Sequence, residues 1–186
     1  MRAIALRRYE ADDAPLLVEA AHESWPEVGV WLPWCTPDLT IRDAEAWIAE
    51  QIQGFAEDTA YEFSIRDAND DGFLGGCGVN HIERENQYAN LGYWVRTKAT
   101  RQGVCHQAVQ QLSRWAFQHS DLVRLEIVAA VGNIASQRAA EKAGAEREGT
   151  LRKRIRIHGL WHDAAVYSLT RASAPTPDAA NPAGGP

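Results

Sequence analysis

The chain has 186 residues, of which 45% are hydrophobic, and it carries a formal net charge of −6. This length favours one domain, with or without a tail, and the hydrophobic share is ample for a core. The negative charge argues against general nucleic-acid binding. The lack of a secretory segment or an apolar run near twenty residues argues against export and membrane insertion. Three widely spaced cysteines suit neither a disulfide framework nor a zinc site. We therefore expect a cytoplasmic protein, monomeric or homodimeric, without a bound metal.

The first part of the chain alternates strand and helix signals. Residues 3–8 suit a strand, and residues from Asp12 to about His22 suit a helix with an acidic start. An aromatic connection broken by prolines follows, from Trp25 to Pro37. Thr40 is a candidate N-cap for a second helix with an apolar face at helical spacing. That face contains Ile41, Ala44, Trp47, Ile48 and Ile52. Two antiparallel strands are then predicted over 61–66 and 73–82, joined by a turn-rich segment.

The next segment predicts an anion-binding site. An apolar strand, Leu91–Val95, leads into a basic turn, and a helix with apolar residues at helical spacing begins near Gln102 or Gly103. Free N–H groups and the dipole at a helix start favour a negatively charged ligand. Gly103 has no Cβ, so backbone and ligand can approach closely. Three basic side chains of the turn could add charge for a phosphate. These are Arg96, Lys98 and Arg101. The turn lacks the residues of a Walker loop or a dinucleotide fingerprint, and a solvated basic turn is the alternative.

A second strand, loop and helix follow. Residues 125–131 are strand-like, and the helix after them has Asn133 as its N-cap and Gly144 as its left-handed C-terminal residue. Residues 150–158 and 163–170 suit a final hairpin around Gly159, which argues against a metal-binding helix there. Strand alternation places Arg152, Arg154 and Arg156 on one face, which is usually solvated but could instead receive an acidic partner or a ligand phosphate. The segment from Ala172 onward, rich in Ala, Pro and Gly, is expected to be disordered.

Five motifs, taken in order, resemble those of the GNAT acetyltransferases, specifically the RimJ/RimL-like branch. They are Leu91-Gly92-Tyr93-Trp94, the turn from Thr100 to Cys105, Asn133-x-x-Ser136, Glu141-Lys142-x-Gly144 and Gly149-Thr150-Leu151. The resemblance implies an acetyltransferase domain over residues 1–171, with residues 172–186 as the tail. It also implies an α+β fold in which a mixed central sheet of about six to seven strands is flanked by about four helices.

The resemblance implies acetyl-CoA as cosubstrate, with its pyrophosphate on the loop amides and its pantetheine arm along the preceding strand. The expected contacts are Trp94, Val95, Arg101, Gln102, Gly103, Val104, Cys105, His106 and Asn133. Ser136 is expected to protonate the departing thiolate, the alternative being a hydroxyl that assists the N-cap. Trp31 and Trp34 are expected to wall the acceptor pocket, with core packing as the alternative, and Asn90 is assigned to the same pocket.

The chain departs from the family pattern in two ways. Thr100 and Cys105 stand at loop positions where the family usually has Gln or Arg and Gly or Ala, a change that a backbone-bound phosphate should tolerate. The carboxylate that many relatives carry before the Leu-Gly-Tyr-Trp strand is replaced by Asn90, and a second family position aligns with Ile155. The candidates for a water-relayed base are Glu126, His81 and Glu83, each of which also suits a plain structural role. We assign the role to Glu126.

Three functions are compatible with these observations. An amine attacks a thioester only when neutral, and an α-amino group, with a pKa near 8, is neutral far more often at pH 7 than a lysine, with a pKa near 10.4. A weak base therefore favours transfer to the N-terminal amine of a protein or peptide, of the ribosomal-protein type by resemblance. The alternatives are transfer to a small amine, such as a polyamine, amino sugar or amino-acid derivative, and a non-catalytic acyl-CoA-binding module.

Overall fold

The computed structural model describes residues 2–172, which form a seven-stranded mixed sheet with four α-helices. The helices are α1 (Ala14–Val28), α2 (Ile41–Ala56), α3 (Val104–His119) and α4 (Ile134–Ala143). The strands are β1 (Ile4–Arg8), β2 (Tyr61–Asp67), β3 (Phe73–Glu83), β4 (Tyr88–Val95), β5 (Arg124–Ala130), β6 (Glu146–Ile157) and β7 (Leu160–Thr170). Their order across the sheet is β1-β2-β3-β4-β5-β7-β6. The expected α+β class and the expected numbers of strands and helices are confirmed.

The tail expected to be disordered, residues 172–186, lies outside the described residues except for Ala172. Between residues 2 and 172, the helices are too short or too polar to cross a membrane.

The first helix is longer than predicted. It begins at Ala14, after a single 3₁₀ turn, and runs to Val28 rather than ending near His22. Trp25 therefore belongs to the helix, and the aromatic connection starts only after it. The predicted end near His22 is wrong, because Pro26 lies in the last turn and so interrupts the helical bonding only at its end.

The second helix begins as predicted, but its buried face is narrower. The Thr40 hydroxyl accepts a hydrogen bond from the Asp43 amide (3.2 Å), and the Asp43 carboxylate accepts one from the Thr40 amide (3.0 Å), which is a capping box. Ala44 and Ile48 are buried. Ile41 and Ile52, at the margins of the predicted face, are 48% and 46% exposed. The sheet therefore contacts only the centre of the apolar stripe.

The two faces of the sheet carry different sets of side chains. Helices α3 and α4 pack on one face, where Leu91 of β4 and Leu125 of β5 join the main hydrophobic core. Helices α1 and α2 pack on the other face, in a smaller cluster that includes Phe73 and, at its margin, Trp94. Because side chains alternate along a strand, odd-numbered residues of β4 point to the α3/α4 face and even-numbered residues to the α1/α2 face.

The final hairpin has a tight turn and an irregular strand. His158 and Gly159 both have positive φ (47° and 79°), as a two-residue type I′ turn requires. The pairing of β6 with β7 shifts between Leu151 and Ile155, and Lys153 within the shift has a φ of 48°. Arg152, Arg154 and Arg156 are all exposed, as a solvated row requires, although a bulge interrupts the regular pairing between the first and the last of them.

Candidate functional site

The central strands separate to form an opening. β4 and β5 are parallel and pair only over Tyr88–Asn90 and Arg124–Glu126. Beyond Asn90, β4 continues to pair with β3, and beyond Glu126, β5 continues to pair with β7. The two strands therefore diverge from a vertex at Asn90 and Glu126, and the edge of β4 that includes Trp94 and Val95 faces the gap.

The turn before α3 has the backbone shape of an anion site. Arg101 and Gly103 both adopt left-handed φ values (60° and 83°), and α3 begins immediately after them at Val104. Amides in the first turn of a helix have no intrahelical acceptor, so those of Val104, Cys105 and His106 are available to a ligand. The Gln107 side chain donates to the Gly103 carbonyl (2.9 Å) and fixes the turn. The predicted start of the helix is confirmed.

Two of the three predicted basic residues have other partners. The Arg96 guanidinium is buried and contacts the carboxylates of Glu19 (2.8 Å) and Glu23 (2.5 Å) on α1. The Lys98 ammonium lies 3.2 Å from Glu23. Arg96 thus joins the strand end to α1, and the expectation that it supplies charge to a phosphate is wrong. Arg101 is exposed beside the left-handed turn and keeps its predicted position.

Asn133 and Ser136 occupy the start of α4, as predicted. The Asn133 side chain accepts a hydrogen bond from the Ser136 amide (3.1 Å), so Asn133 is the N-cap. The Ser136 hydroxyl is not needed for the cap and lies 3.1 Å from the Tyr93 hydroxyl. Tyr93 has one hydroxyl proton and donates it to the Ser136 carbonyl (2.8 Å), which makes the Ser136 hydroxyl the donor in the longer contact. Burial raises the pKa of Tyr93, which therefore stays protonated.

Cys105 and His106 are unsuited to nucleophilic catalysis. Burial raises the pKa of the Cys105 thiol to about 12, so the thiolate is scarce at neutral pH. Burial, with a contribution from Lys142, lowers the pKa of His106. A neutral thiol next to an uncharged imidazole on adjacent helical positions lacks the activation that a cysteine nucleophile requires.

Trp31 and Trp34 lie on the α1/α2 side of the opening. The Trp34 ring meets the ring of Trp94 edge-on at 5.2 Å and is 41% exposed. The tip of the Trp31 ring lies 3.2 Å from where a Cβ on Gly132 would be, at the end of β5. The two tryptophans therefore approach opposite sides of the gap, Trp34 against β4 and Trp31 against the end of β5. A side chain at position 132 would press against Trp31.

The residues at the vertex are polar. Asn90 and Glu126 are direct partners across β4 and β5 and point to the same, α1/α2, face. The Glu126 carboxylate accepts a hydrogen bond from Arg124 (3.0 Å). Ile155, the other family position without a carboxylate, pairs with His162 on the hairpin at the sheet margin.

His81 and Glu83 belong to the far end of β3. Glu83 accepts hydrogen bonds from the amides of Glu85 (3.1 Å) and Asn86 (2.7 Å), so it closes the turn to β4. His81 is exposed and has a φ of 49°, at an irregularity in the pairing of the two strands. Both residues have the structural role that was the alternative for them.

Comparison with known proteins identifies the family. The model of the acetyltransferase (GNAT) domain matches residues 3–146. The chain belongs to the GNAT acetyltransferase family. As a GNAT protein it is an N-acetyltransferase, and the predicted resemblance and enzyme class are confirmed.

Individual relatives extend over most of this GNAT chain. YdaF of Bacillus subtilis, provisionally named a ribosomal N-acetyltransferase, is 28% identical over 169 residues, which cover 90% of this chain and 91% of YdaF. A structure provisionally named a ribosomal-protein-serine acetyltransferase, from Vibrio cholerae, has 28% identity and a TM-score of 0.76, and covers 91% of this chain and 94% of its own. The Microcin C7 self-immunity acetyltransferase MccE, solved with acetyl-CoA and AMP, has 22% identity and a TM-score of 0.83, and covers 90% and 92%. At that identity the MccE structure supports the GNAT fold alone.

Sequence reasoning missed three residues near the opening: Tyr93, Glu62 and Asn80. Tyr93 could have been found, because alternation along Leu91–Val95 places it with Leu91, on the face opposite Asn90. Glu62 and Asn80 could not, because their contact depends on the register between strands that are distant in sequence.

Proposed function

We propose that this GNAT protein transfers the acetyl group of acetyl-CoA directly to a primary amine, the N-terminal α-amine of a protein or peptide. The observation that carries the proposal is the opening between β4 and β5. The Ser136–Tyr93 hydroxyl pair lies on its α3/α4 face, and Asn90 and Glu126 lie at its vertex on the α1/α2 face. The names of YdaF and of the Vibrio cholerae structure, both ribosomal acetyltransferases, support a protein acceptor. The bacterial relatives also favour the cytoplasm as its location.

The residues present fit acetyl-CoA. We assign the pyrophosphate to the amides that follow the left-handed turn at Arg101 and Gly103, where the helix start favours negative charge. We assign the pantetheine arm to the edge of β4 at Trp94 and Val95, whose backbone faces the gap rather than β5. An extended arm on a free strand edge can form ladder-like hydrogen bonds. These contacts direct the thioester toward the start of α4.

The reaction requires one proton to leave the amine and one to reach the sulfur. The amine nitrogen attacks the thioester carbonyl carbon, the carbon–sulfur bond breaks, and CoA leaves as a thiolate. We assign the proton for the thiolate to the Ser136 hydroxyl, whose one proton turns from the Tyr93 oxygen to the sulfur and is replaced from water after CoA leaves. We assign removal of the amine proton to Glu126, directly or through water, because its carboxylate lies at the vertex.

The candidate base for the amine at the acceptor site is the Glu126 carboxylate. The Glu126 carboxylate at the vertex already accepts a hydrogen bond from Arg124 (3.0 Å). About a tenth of α-amino groups are neutral at pH 7, against about 0.04% of lysine side chains, a difference of about 3 kcal/mol. A terminal amine therefore suits this site better than a lysine. Trp31 and Trp34 are proposed to hold the residues that follow the amine.

The proposal is tested by release of CoA thiol from acetyl-CoA. The acceptors are a panel of peptides with different N-terminal residues, the same peptides with blocked N-termini, and a set of small amines. We expect turnover with free-amine peptides and its loss on blocking. Turnover confined to small amines would replace the protein acceptor by a small one, and acetylation of an internal lysine in a blocked peptide would contradict the terminal-amine assignment.

A further inference from the structure

A chain of three side chains crosses the sheet toward the vertex. The Asn80 side-chain amide on β3 donates a hydrogen bond to the Glu62 carboxylate on β2 (2.9 Å). The Asn90 side-chain amide on β4 donates one to the Asn80 side-chain oxygen (2.8 Å). Asn80 and Asn90 are direct cross-strand partners. All three side chains lie on the α1/α2 face. This hydrogen-bond chain ends at Asn90, next to Glu126.

A glycine on β3 makes room for the carboxylate. Gly78 is the cross-strand partner of Glu62, and a Cβ on Gly78 would lie 1.9 Å from the Glu62 Oε2 atom. The Glu62 carboxylate thus lies flat over Gly78, in the space that any other side chain would fill. From there it reaches Asn80, two residues further along β3. The chain of hydrogen bonds therefore depends on a glycine at position 78.

The hydrogen bonds from Asn90 to Asn80 and from Asn80 to Glu62 run in one direction, which the Glu62 carboxylate sets. An ionised carboxylate only accepts hydrogen bonds, so Asn80 must turn its NH₂ group toward Glu62 and its oxygen toward Asn90. Asn90 must then turn its own NH₂ group toward Asn80. This leaves the Asn90 oxygen as the group that can face a ligand at the vertex. With Glu62 absent or neutral, both amides lose the constraint that fixes this orientation.

We propose that Glu62 is a positioning residue for the acceptor amine, acting through Asn80 to hold the Asn90 side-chain oxygen toward the vertex as a hydrogen-bond acceptor. The inference rests on the proposed function, since it places the amine at the vertex. The amine N–H that bonds to Asn90 is held beside Glu126, with the nitrogen lone pair free for the thioester. Neither Glu62 nor Asn80 touches the reacting atoms in this arrangement.

The same geometry makes the chain sensitive to pH. Burial raises the pKa of Glu62 to about 7, and the smaller opposing effect is the hydrogen bond from Asn80. A protonated Glu62 can donate to the Asn80 oxygen, which would reverse both amides and turn the Asn90 NH₂ group toward the amine. The other titratable or charged groups near Glu62 are Arg8 and Tyr9 at the end of β1, Asp58 after α2, and Cys77 on the opposite face of β3. Burial raises the pKa of both Tyr9 and Cys77, so neither changes charge near neutral pH.

Two substitutions disrupt the chain independently. Glu62→Gln removes the acceptor-only group and keeps the shape. Gly78→Ala keeps Glu62 but places a methyl group in its carboxylate position, and the side chain can swing aside because the clash involves only its flexible end. Gly149→Ala is the matched control, since a Cβ there has nothing within 4 Å. We expect the first two variants to raise the KM for a peptide acceptor about tenfold, the upper range for losing one hydrogen bond between neutral groups. Acetyl-CoA affinity should stay within about twofold of wild type, because neither position is assigned to acetyl-CoA. Gly149→Ala should match wild type in both measurements.

The orientation of the amides is measured without any acceptor. In isotope-labelled wild-type protein, the Glu62 carboxyl and the Asn90 side-chain NH₂ signals should titrate with one common midpoint near neutral pH, and the Asn90 change should vanish in Glu62→Gln. Independent titration of the two signals would overturn the inference, as would unchanged acceptor KM values in both Glu62→Gln and Gly78→Ala. If the signals titrate together but no amine is acetylated by wild-type protein, the proposed function fails while the hydrogen-bond chain stands.

Discussion

At the scale of single residues, the start of α4 separates two tasks between neighbouring polar side chains. Asn133 caps the helix, which frees the Ser136 hydroxyl for a contact with Tyr93. Had Ser136 been the cap, its oxygen would have been occupied by a backbone amide. The division of roles is what supports Ser136 as the proton donor to the thiolate.

Substitution of this hydroxyl pair should affect turnover rather than binding. We expect Ser136→Ala to lower kcat about a hundredfold, the lower range for loss of a general acid, with acetyl-CoA affinity nearly unchanged. Tyr93→Phe should lower kcat less, because Ser136 keeps its proton but loses the partner that orients it. Steady-state kinetics at saturating acetyl-CoA measure both reductions in kcat. In the double variant, the loss of activation free energy should be smaller than the sum of the two single losses, since the two groups act together. Wild-type kcat in Ser136→Ala would remove it from the mechanism.

The residues of the site differ in how far they can be predicted from the sequence. Asn133 and Ser136 are three positions apart in one helical turn, so local spacing is enough to place them together. Glu62 and Asn80 meet only because β2 and β3 pair in a particular register, and strand register depends on the whole sheet. The Asn90 side chain could be identified as the replacement for a family carboxylate, but its link to a more distant carboxylate could not.

At the scale of elements, ion pairs between residues distant in sequence determine the role of Arg96 and Lys98. Arg96 and Lys98 follow a strand and precede the turn before α3, and local sequence predicts that they add charge to a site there. The structure pairs them instead with Glu19 and Glu23, on a helix more than seventy residues earlier. Local spacing predicted the turn and the start of α3 correctly because a left-handed glycine and a helix start are local features. It failed for the charges because their partners are not.

The edge strand β6 provides a test of such a pair. Glu148 accepts hydrogen bonds from Arg124 on β5 (2.6 Å) and Ser168 on β7 (2.8 Å), so it fastens the edge of the sheet. The hydrogen bond from Arg124 is the main cause that lowers the pKa of Glu148 to about 2. Because the folded pKa lies below the ordinary value, the contribution to stability is complete above that value and is lost as pH falls toward about 2.

Glu148→Gln should therefore be less stable than wild type at pH 6 and nearly equal to it close to pH 2. The Glu148 side chain is 39% exposed, so the gap at pH 6 should stay below about 1 kcal/mol. Urea unfolding at several pH values measures the free energy of unfolding of both proteins. Glu146→Gln, at an exposed position on the same strand, is the control. A gap that does not shrink with falling pH would show that Glu148 acts by packing rather than by charge.

At the scale of the whole molecule, the sheet consists of two parts joined at the vertex. β1–β4 form one part and β5–β7 the other, and the parallel pairing that links them covers three residues on each strand. The α3/α4 face of the opening carries the turn proposed to bind the pyrophosphate and the Ser136–Tyr93 pair. The α1/α2 face carries Trp34 and the polar residues of the vertex. Two substrates can therefore reach one point from opposite faces without passing each other.

This arrangement predicts the order of events in catalysis. If donor and acceptor meet at the vertex, both must be bound before transfer, and initial rates measured at several concentrations of each should give intersecting double-reciprocal lines. A covalent acetyl-enzyme would need a nucleophile, and the nearby thiol, Cys105, is held neutral by a pKa of about 12. Protein incubated with acetyl-CoA alone should therefore keep its mass, as measured by intact-protein mass spectrometry. Parallel double-reciprocal lines together with an acetyl adduct on Cys105 would show that the acetyl group passes through the protein, which the geometry of the two faces argues against.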